Sequence, residues 1–318
     1  VEYDLFLSAV QRGWTVEHEV GPSGHRQPHP FVQNWMNCNR LEGNDMAEQV
    51  LVLGGTGKTG RRVLERLRAR DVPVRVGSRA EQPRFDWEDP TTWAAALDGV
   101  SALYVSYFPD LAVPGAPEAV GALAEQARRS GIGRLVLLSG RGEEEAQRSE
   151  RAIAEAGIPW TVVRCSWFNQ NFSEGYLLDP ILEGEVALPA GGVPEPFVDA
   201  EDIADVAVAA LTEDGHEGQV HELTGPRMLT FAEAVEEIGR ASGRALSYVQ
   251  VSMDDYAAAA AELDVPDDVV WLIRYLFSEV LDGRNASLTD GVQRALGREP
   301  RDFADYARAT AATGVWNG

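Results

Sequence analysis

Lysine is almost absent from this 318-residue chain. Lys58 is the only one, and the other basic residues among the 28 are arginines. Positive charge is scarce overall, and 50 acidic residues leave a formal net charge of −22. A nucleic-acid backbone or an anionic membrane surface draws on clusters of Lys and Arg, so neither partner is expected. Cysteine is also rare. Cys38 and Cys165 do not make a disulfide framework. The five histidines form no His/Cys/carboxylate cluster at metal-ligand spacing, so no metal is expected. No apolar run approaches a membrane span, and no basic-then-apolar start marks a signal peptide. A reducing cytoplasm fits these absences. What remains is 44% hydrophobic, enough for one large domain or a domain with a smaller lobe.

The one lysine sits in a glycine ladder. Residues 50–53, Val-Leu-Val-Leu, read as a buried parallel strand. Gly54, Gly57 and Gly60 follow at G-x-x-G-x-x-G spacing, with Thr56, Lys58 and Thr59 between them. Then Val63, Leu64 and Leu67 set a helical period. Strand, glycine turn and helix in this order form a dinucleotide-binding turn. A diphosphate needs close approach to backbone N–H groups at a helix N-terminus, where a Cβ would hold it away. Gly57-Lys58-Thr59 also resembles the end of an NTPase phosphate loop, but that loop requires glycine where Val52 stands.

Residues 72–76 read as the second strand, ending in Gly77-Ser78-Arg79. An NAD-preferring site carries an acidic residue near this end. Here Ser78 and Arg79 suit a 2′-phosphate by charge and fork geometry, so NADP(H) is expected in preference to NAD(H). Residues 85–87 end a short third strand in this reading, with Asp86 placed to accept from an adenine amine. Further strands are expected at 102–105, 134–138 and 160–164, with helices near 91–97, 117–129 and 143–156. This alternation implies an α/β, doubly wound parallel sheet of Rossmann type. Ligands of such sheets lie beyond the carboxyl ends of the strands. The candidate groups are therefore the strand ends: Ser106-Tyr107-Phe108, Ser139-Gly140-Arg141 and Cys165-Ser166-Trp167-Phe168. Ser106, Ser139 and Cys165 are expected at the cofactor. Tyr107, Phe108, Trp167, Phe168 and Tyr176 are expected to face a flat substrate.

Past residue 170 the alternation breaks down into helices near 202–211, 231–242, 256–263 and 269–281. Thr230 and Glu233 form a capping-box pattern ahead of the second of these. Trp271, Leu272, Tyr275 and Leu276 make an apolar stripe, either core packing or the roof of a pocket. The expected organisation is 47–170 as the nucleotide-binding domain and 171–318 as a smaller, mostly helical substrate lobe. Residues 1–46 are expected to be a disordered or non-native extension, with Met46 the natural start and His25 and His29 in a proline-broken loop. His216 and His221 are expected in a polar loop.

The ladder at 50–60, Phe85-Asp86-Trp87, Leu137-Leu138-Ser139-Gly140, the run from Arg164 through Phe168 to Phe172, and Phe197-Val198-Asp199-Ala200 resemble the NmrA-like atypical short-chain dehydrogenase/reductase family. Within it the chain is most similar to bacterial relatives of the ergot alkaloid iminium reductases. The resemblance implies a Rossmann fold, NADP(H), a small C-terminal substrate lobe, and members that range from reductases to NADP-sensing regulators.

Typical short-chain reductases place Ser, Tyr and Lys around the nicotinamide, with Tyr and Lys four residues apart on a helix. Ser139 stands where that serine would be. The helix after it, Glu143 to Arg151, has neither Tyr nor Lys. Reducing a ketone makes an alkoxide that wants a general acid, whereas reducing an iminium makes a neutral amine and a quinone gives a delocalised anion. The expected function is thus NADP(H)-dependent reduction of a small conjugated or cationic acceptor, with Ser139 and Tyr107 as the catalytic candidates. The alternative is a silent NADP(H)-sensing protein. A small-molecule substrate and a monomer or homodimer complete the expectation.

Overall fold

A computed structural model describes residues 49–262 and 265–317. The expected extension, with His25, His29, Cys38 and Met46, lies outside the described residues. Six parallel strands form the main sheet: β1 (Gln49–Leu53), β2 (Val74–Gly77), β3 (Val100–Val105), β4 (Arg134–Gly140), β5 (Trp160–Cys165) and β7 (Gln219–Leu223), in the order β2-β1-β3-β4-β5-β7. Val50 to Leu53 are apolar without alternation because helices cover the sheet on both faces. Leu51, Leu53 and Leu103 point to one side, against Leu123 of α3 (Ala116–Arg129) and Ile153 of α4 (Glu144–Glu155). Val50 and Val52 point to the other, against Val63 and Leu67 of α1 (Lys58–Ala69) and Ile203 and Val206 of α7 (Ala200–Thr212). The chain runs from β1 out to β2, then returns past β1 to β3. The topological switch point lies between β1 and β3, where the glycine turn ends.

Three expectations need correction. Residues 85–87 form no strand. Phe85 is buried between Trp87 and Trp93, and Asp86 takes side-chain bonds from Arg84 and a bond from the Glu88 amide, so the run is spent on local contacts rather than a ladder. The sheet also draws on residues past 170, because α7 and β7 return to it after the first lobe segment. That return explains the third correction. His221 is a buried β7 residue, not part of a polar loop, and its Nε2 lies 3.0 Å from Nδ1 of the buried His216.

The lobe has its own core. Phe172, Phe197, Phe231 and Phe303 pack edge to face, and Trp316 packs edge to face on Tyr306, beside the short parallel pair β6 (Glu185–Leu188) and β8 (Ser247–Gln250). Around them stand α8 (Phe231–Ser242), α9 (Met253–Glu262), α10 (Asp267–Tyr275) and α12 (Phe303–Ala312); α2 (Trp93–Leu97), α5 (Asn171–Glu174), α6 (Leu178–Glu183) and α11 (Gly291–Leu296) are short. The capping box is present: Thr230 Oγ1 accepts from the Glu233 amide and Glu233 Oε2 accepts from the Thr230 amide at 2.8 Å. No helix among the described residues is long and apolar enough to cross a membrane.

Candidate active site

The glycine turn is built for close approach. Gly54 holds φ at +70°, and a Cβ there would press on the Ser106 side chain at 3.0 Å. A Cβ on Gly60 would overlap the Gly54 carbonyl, so glycine at 60 is what lets α1 start directly against β1. The Gly57 amide closes the turn on Gly54 O at 2.9 Å. The first turn of α1 carries no acidic residue, which leaves its amides and positive dipole end suited to an anion. Tyr104 of β3, fully buried, donates to Thr59 Oγ1 at 2.9 Å and fixes that first turn from below.

Beyond the turn lies a cavity of about 340 Å³ at the carboxyl ends of β1, β3, β4 and β5. Of the residues expected at the cofactor, Gly54, Gly57, Lys58, Thr59, Ser106, Ser139 and Cys165 line it. All five residues expected at the substrate, Tyr107, Phe108, Trp167, Phe168 and Tyr176, line it too. Gly60 lies beneath the turn, buried, and Thr56 is exposed on its outer side. Ser78 and Arg79 stand at the end of β2 outside the cavity, and Asp86 follows them with its carboxyl engaged by Arg84 and Glu88. The lobe supplies the roof. Leu272 and Ile273 of α10, followed by Leu276, Phe277 and Val280 of a wider π turn, face the cavity. The 271–276 stripe is therefore split: Leu272 and Leu276 look inward, whereas Trp271 is 44% exposed and stacks on Tyr275. Trp167 is held at 5.2 Å from Phe231 and 5.1 Å from Phe277, so the aromatic wall is braced by the lobe core.

Two family models match the chain: one described as NAD(P)H-binding over residues 54–214, the other as the NmrA-like family over residues 147–307. The chain belongs to the NmrA-like family. Among its relatives, the uncharacterized oxidoreductase YesF of Bacillus subtilis is 34% identical, over 84% of this chain and 97% of its own length. Agroclavine dehydrogenase of Claviceps fusiformis is 32% identical over 81% of this chain and 95% of its own. Among solved structures, the NADPH complex of the quinone oxidoreductase QOR2 from Escherichia coli superposes with a TM-score of 0.70, at 22% identity, over 82% of this chain and 99% of the other. This NmrA-like chain is an NAD(P)H-dependent oxidoreductase. The residues present fit that nucleotide: the glycine turn and the α1 N-terminus would hold its diphosphate, and the strand ends would flank its ring.

The NmrA-like site differs from a Ser-Tyr-Lys arrangement in what its hydroxyls do. Ser139 is buried, and its Oγ donates to Glu150 Oε1 at 2.6 Å. Glu150 in turn accepts from Arg164 Nε at 2.9 Å, Arg164 reaches Glu222, and Arg141 closes the chain on Glu222 at 2.6 Å. Ser139 is thus the tip of a charge network joining β4, α4, β5 and β7. Burial, and secondarily Glu88, raises the Tyr107 hydroxyl above its ordinary pKa. Burial, and then Glu143, raises the Cys165 thiol well above its ordinary value, so it is not a thiolate.

The residues that sequence reasoning missed are acidic. Asp110 and Glu143 line the same cavity. Burial raises the Glu143 carboxyl well above the usual range, and Asp110 and Glu150 add to the shift. Burial raises Asp110 as well, opposed by the bond its Oδ1 accepts from the Ala112 amide at 2.8 Å. The signal was available in the sequence: each carboxyl follows a strand-end group by a few residues. Nothing in one sequence, however, says that the two loops meet.

Proposed function

We propose that this protein is an NADPH-dependent reductase of a small conjugated or cationic acceptor of the iminium or quinone type. One observation carries the reading: a single cavity joins the glycine turn to an aromatic and aliphatic wall under the lobe roof, with room for a flat ring system beside a nicotinamide. A bound nicotinamide supplies the hydride. The chain's own task is then positioning and exclusion of water. Trp167, Phe168, Tyr107 and Tyr176 would stack a planar acceptor, and their ring faces would also accept a cation. The kinship with agroclavine dehydrogenase and the likeness in fold to a quinone reductase are consistent with such acceptors. Arg79, exposed at the end of β2, is the residue proposed to favour the 2′-phosphate. The segments past residue 170 that pack in the lobe core, apart from α7 and β7 of the main sheet, are proposed as the part that selects the acceptor.

The test follows NADPH absorbance with a panel of iminium and quinone acceptors. Oxidation of NADPH by at least one class is expected. Tight NADPH binding without oxidation across the panel would overturn the reading in favour of an NADP(H)-sensing protein. In the same assay Arg79→Ala is expected to raise the KM for NADPH about tenfold or more and that for NADH little, a loss of about 1.4 kcal/mol or more in binding. Equal weakening of the two would remove the case for a 2′-phosphate site.

A further inference from the structure

We propose that Glu143 is the general acid of this site, paired with Asp110 through one shared proton, in place of the tyrosine that the helix lacks. This rests on the reductase reading and deepens it. Four observations converge. The carboxyls of Glu143 and Asp110 line the cavity beside the strand-end residues that flank the cofactor position. Among the described residues, no arginine pairs with either of them and no hydrogen-bond donor reaches the Glu143 carboxyl, whereas Glu150 and Glu222 close by are each engaged by arginine. Gly140 makes room for this arrangement. A Cβ there would overlap the Glu143 carboxyl, which folds back over the end of β4 instead of extending into solvent. Finally, Ser166 lines the same wall, 4% exposed, and its hydroxyl has no hydrogen-bond partner among the described residues, so it is available to a molecule bound in the cavity.

The chemistry follows from two half-buried carboxyls on one cavity wall. They cannot both ionise readily, so one proton is kept between them. The pair then offers one negative charge and one transferable proton to the same acceptor. A quinone acceptor gains a hydride from the reduced nicotinamide and a proton on a carbonyl oxygen from Glu143, whereas an iminium takes the hydride alone. The quinone becomes the hydroquinone, reduced by two electrons while the nucleotide is oxidised by two. Glu143, left as carboxylate, regains its proton from water by way of Asp110. The groups around Glu143 are Asp110 after β3, Glu150 on α4, Cys165 at the end of β5 and Tyr275 of α10. Arg284, near Tyr275, is occupied by Asp282. Among the described residues, Arg164 and Arg141 are occupied by Glu150 and Glu222, and Lys58 at the glycine turn is the one ammonium on the cavity wall.

The test compares two acceptors on the full chain. Menadione requires a proton on reduction; N-methyl-dihydroisoquinolinium, a permanent cation, does not. Glu143→Gln copies the protonated acid in shape and charge. It is expected to lower kcat for menadione by about 10²-fold, the lower end for a general acid, and to change kcat for the cation by less than about threefold. Equal loss with both acceptors overturns the proposal, since a merely structural role would act on both. Loss confined to KM for the cation overturns it in favour of a counter-ion. A menadione-selective loss in Tyr107→Phe rather than in Glu143→Gln assigns the proton to the tyrosine and overturns it as well. A second readout needs no turnover. Infrared titration of the nucleotide-free protein in a Glu195→Gln background, which removes the carboxyl that titrates near 7, is expected to show a protonated carboxyl band at neutral pH that Glu143→Gln removes and that Asp110→Asn shifts to lower pH; a band unchanged by Glu143→Gln overturns the proposal. If the wild type oxidises NADPH with neither acceptor, the reductase reading itself fails and takes the proposal with it. The infrared band then shows independently whether the carboxyl pair exists.

Discussion

Carboxylates between α1 and α7 and carboxyls around the cavity have the same chemistry and opposite surroundings. On the first seam, Arg62 bonds Glu201 at 2.6 Å and Glu174 at 2.7 Å, and Arg66 bonds Glu201 and Asp205 at 2.5 Å each. Asp202, with no exposed surface, accepts from the Arg301 amide and the Arg298 side chain at 2.7 Å. Burial works against Glu201 and Asp205, but hydrogen bonds from Arg66, and then from Arg62 or Arg301, hold both below their ordinary values. At the cavity, among the described residues, no arginine pairs with Asp110 or Glu143, and both are raised, first by burial. The same holds for Glu195, buried with both carboxyl oxygens unbonded and pushed by burial to about 7 against the pull of Arg141. With 28 basic residues against 50 acidic ones, arginine is rationed. Where it is spent, acids are structural. Where it is withheld, acids keep protons.

The sharpest way to break this comparison is on the paired side. Asp202→Ala removes the fully buried acceptor of the Arg301 amide and of the Arg298 and Arg301 side chains, whose remaining carboxylate partner is Asp205, and about 3 kcal/mol of stability should be lost. Urea unfolding measures it. A loss no greater than that of an exposed pair would mean that arginine pairing of a buried acid does not hold α7 to the 298–301 segment, and the distinction fails.

An intermediate effect is expected on the unpaired side, with a definite sign. Glu195 has a folded value of about 7 against an ordinary 4.5. Its contribution is fully present below the ordinary value and is lost as pH rises toward the folded one. Glu195→Gln should therefore be more stable than wild type by about 2 kcal/mol near pH 8 and no more stable near pH 4. The seam acids run the other way. Their contribution is present above the ordinary values of 4.5 and 3.8 and is lost as pH falls through the lowered folded ones. Unfolding midpoints that follow one common pH trend in wild type and Glu195→Gln would erase the contrast.

The smallest effect separates burial from pairing. Arg148 bonds Glu145 at 2.8 Å on the exposed face of α4. Water and side-chain entropy cancel most of such a bond. Arg148→Ala should leave the urea midpoint where it is; a clear drop would show that pairing alone, without burial, stabilises this chain.

How far the sequence could be read depended on the range of the interactions involved. β1, the glycine turn and α1 were legible because period, glycine spacing and helix pattern are local and reinforce one another. The capping box at Thr230 and Glu233 was legible for the same reason. Residues 85–87 misled because a short aromatic run looks like a strand whether it pairs or inserts into a core. β7 went unread because Gln219 to Leu223 is short and carries polar residues, and its partner β5 lies far away in sequence. Ser139 was placed at the cavity, yet its hydroxyl is bonded to Glu150, eleven positions on, and no motif announces that bond.

Composition and local pattern alone determined that this chain holds a dinucleotide on a parallel sheet and has no tyrosine four residues before its one lysine, since covalent order is all that a glycine turn or a residue spacing requires. Tertiary structure decided which of many acids are neutralised by arginine, which helix roofs the cavity, and that Asp110 and Glu143 share one wall. The reason is that charge and proton affinity depend on distance and burial, and the groups that set them come from segments far apart in the chain.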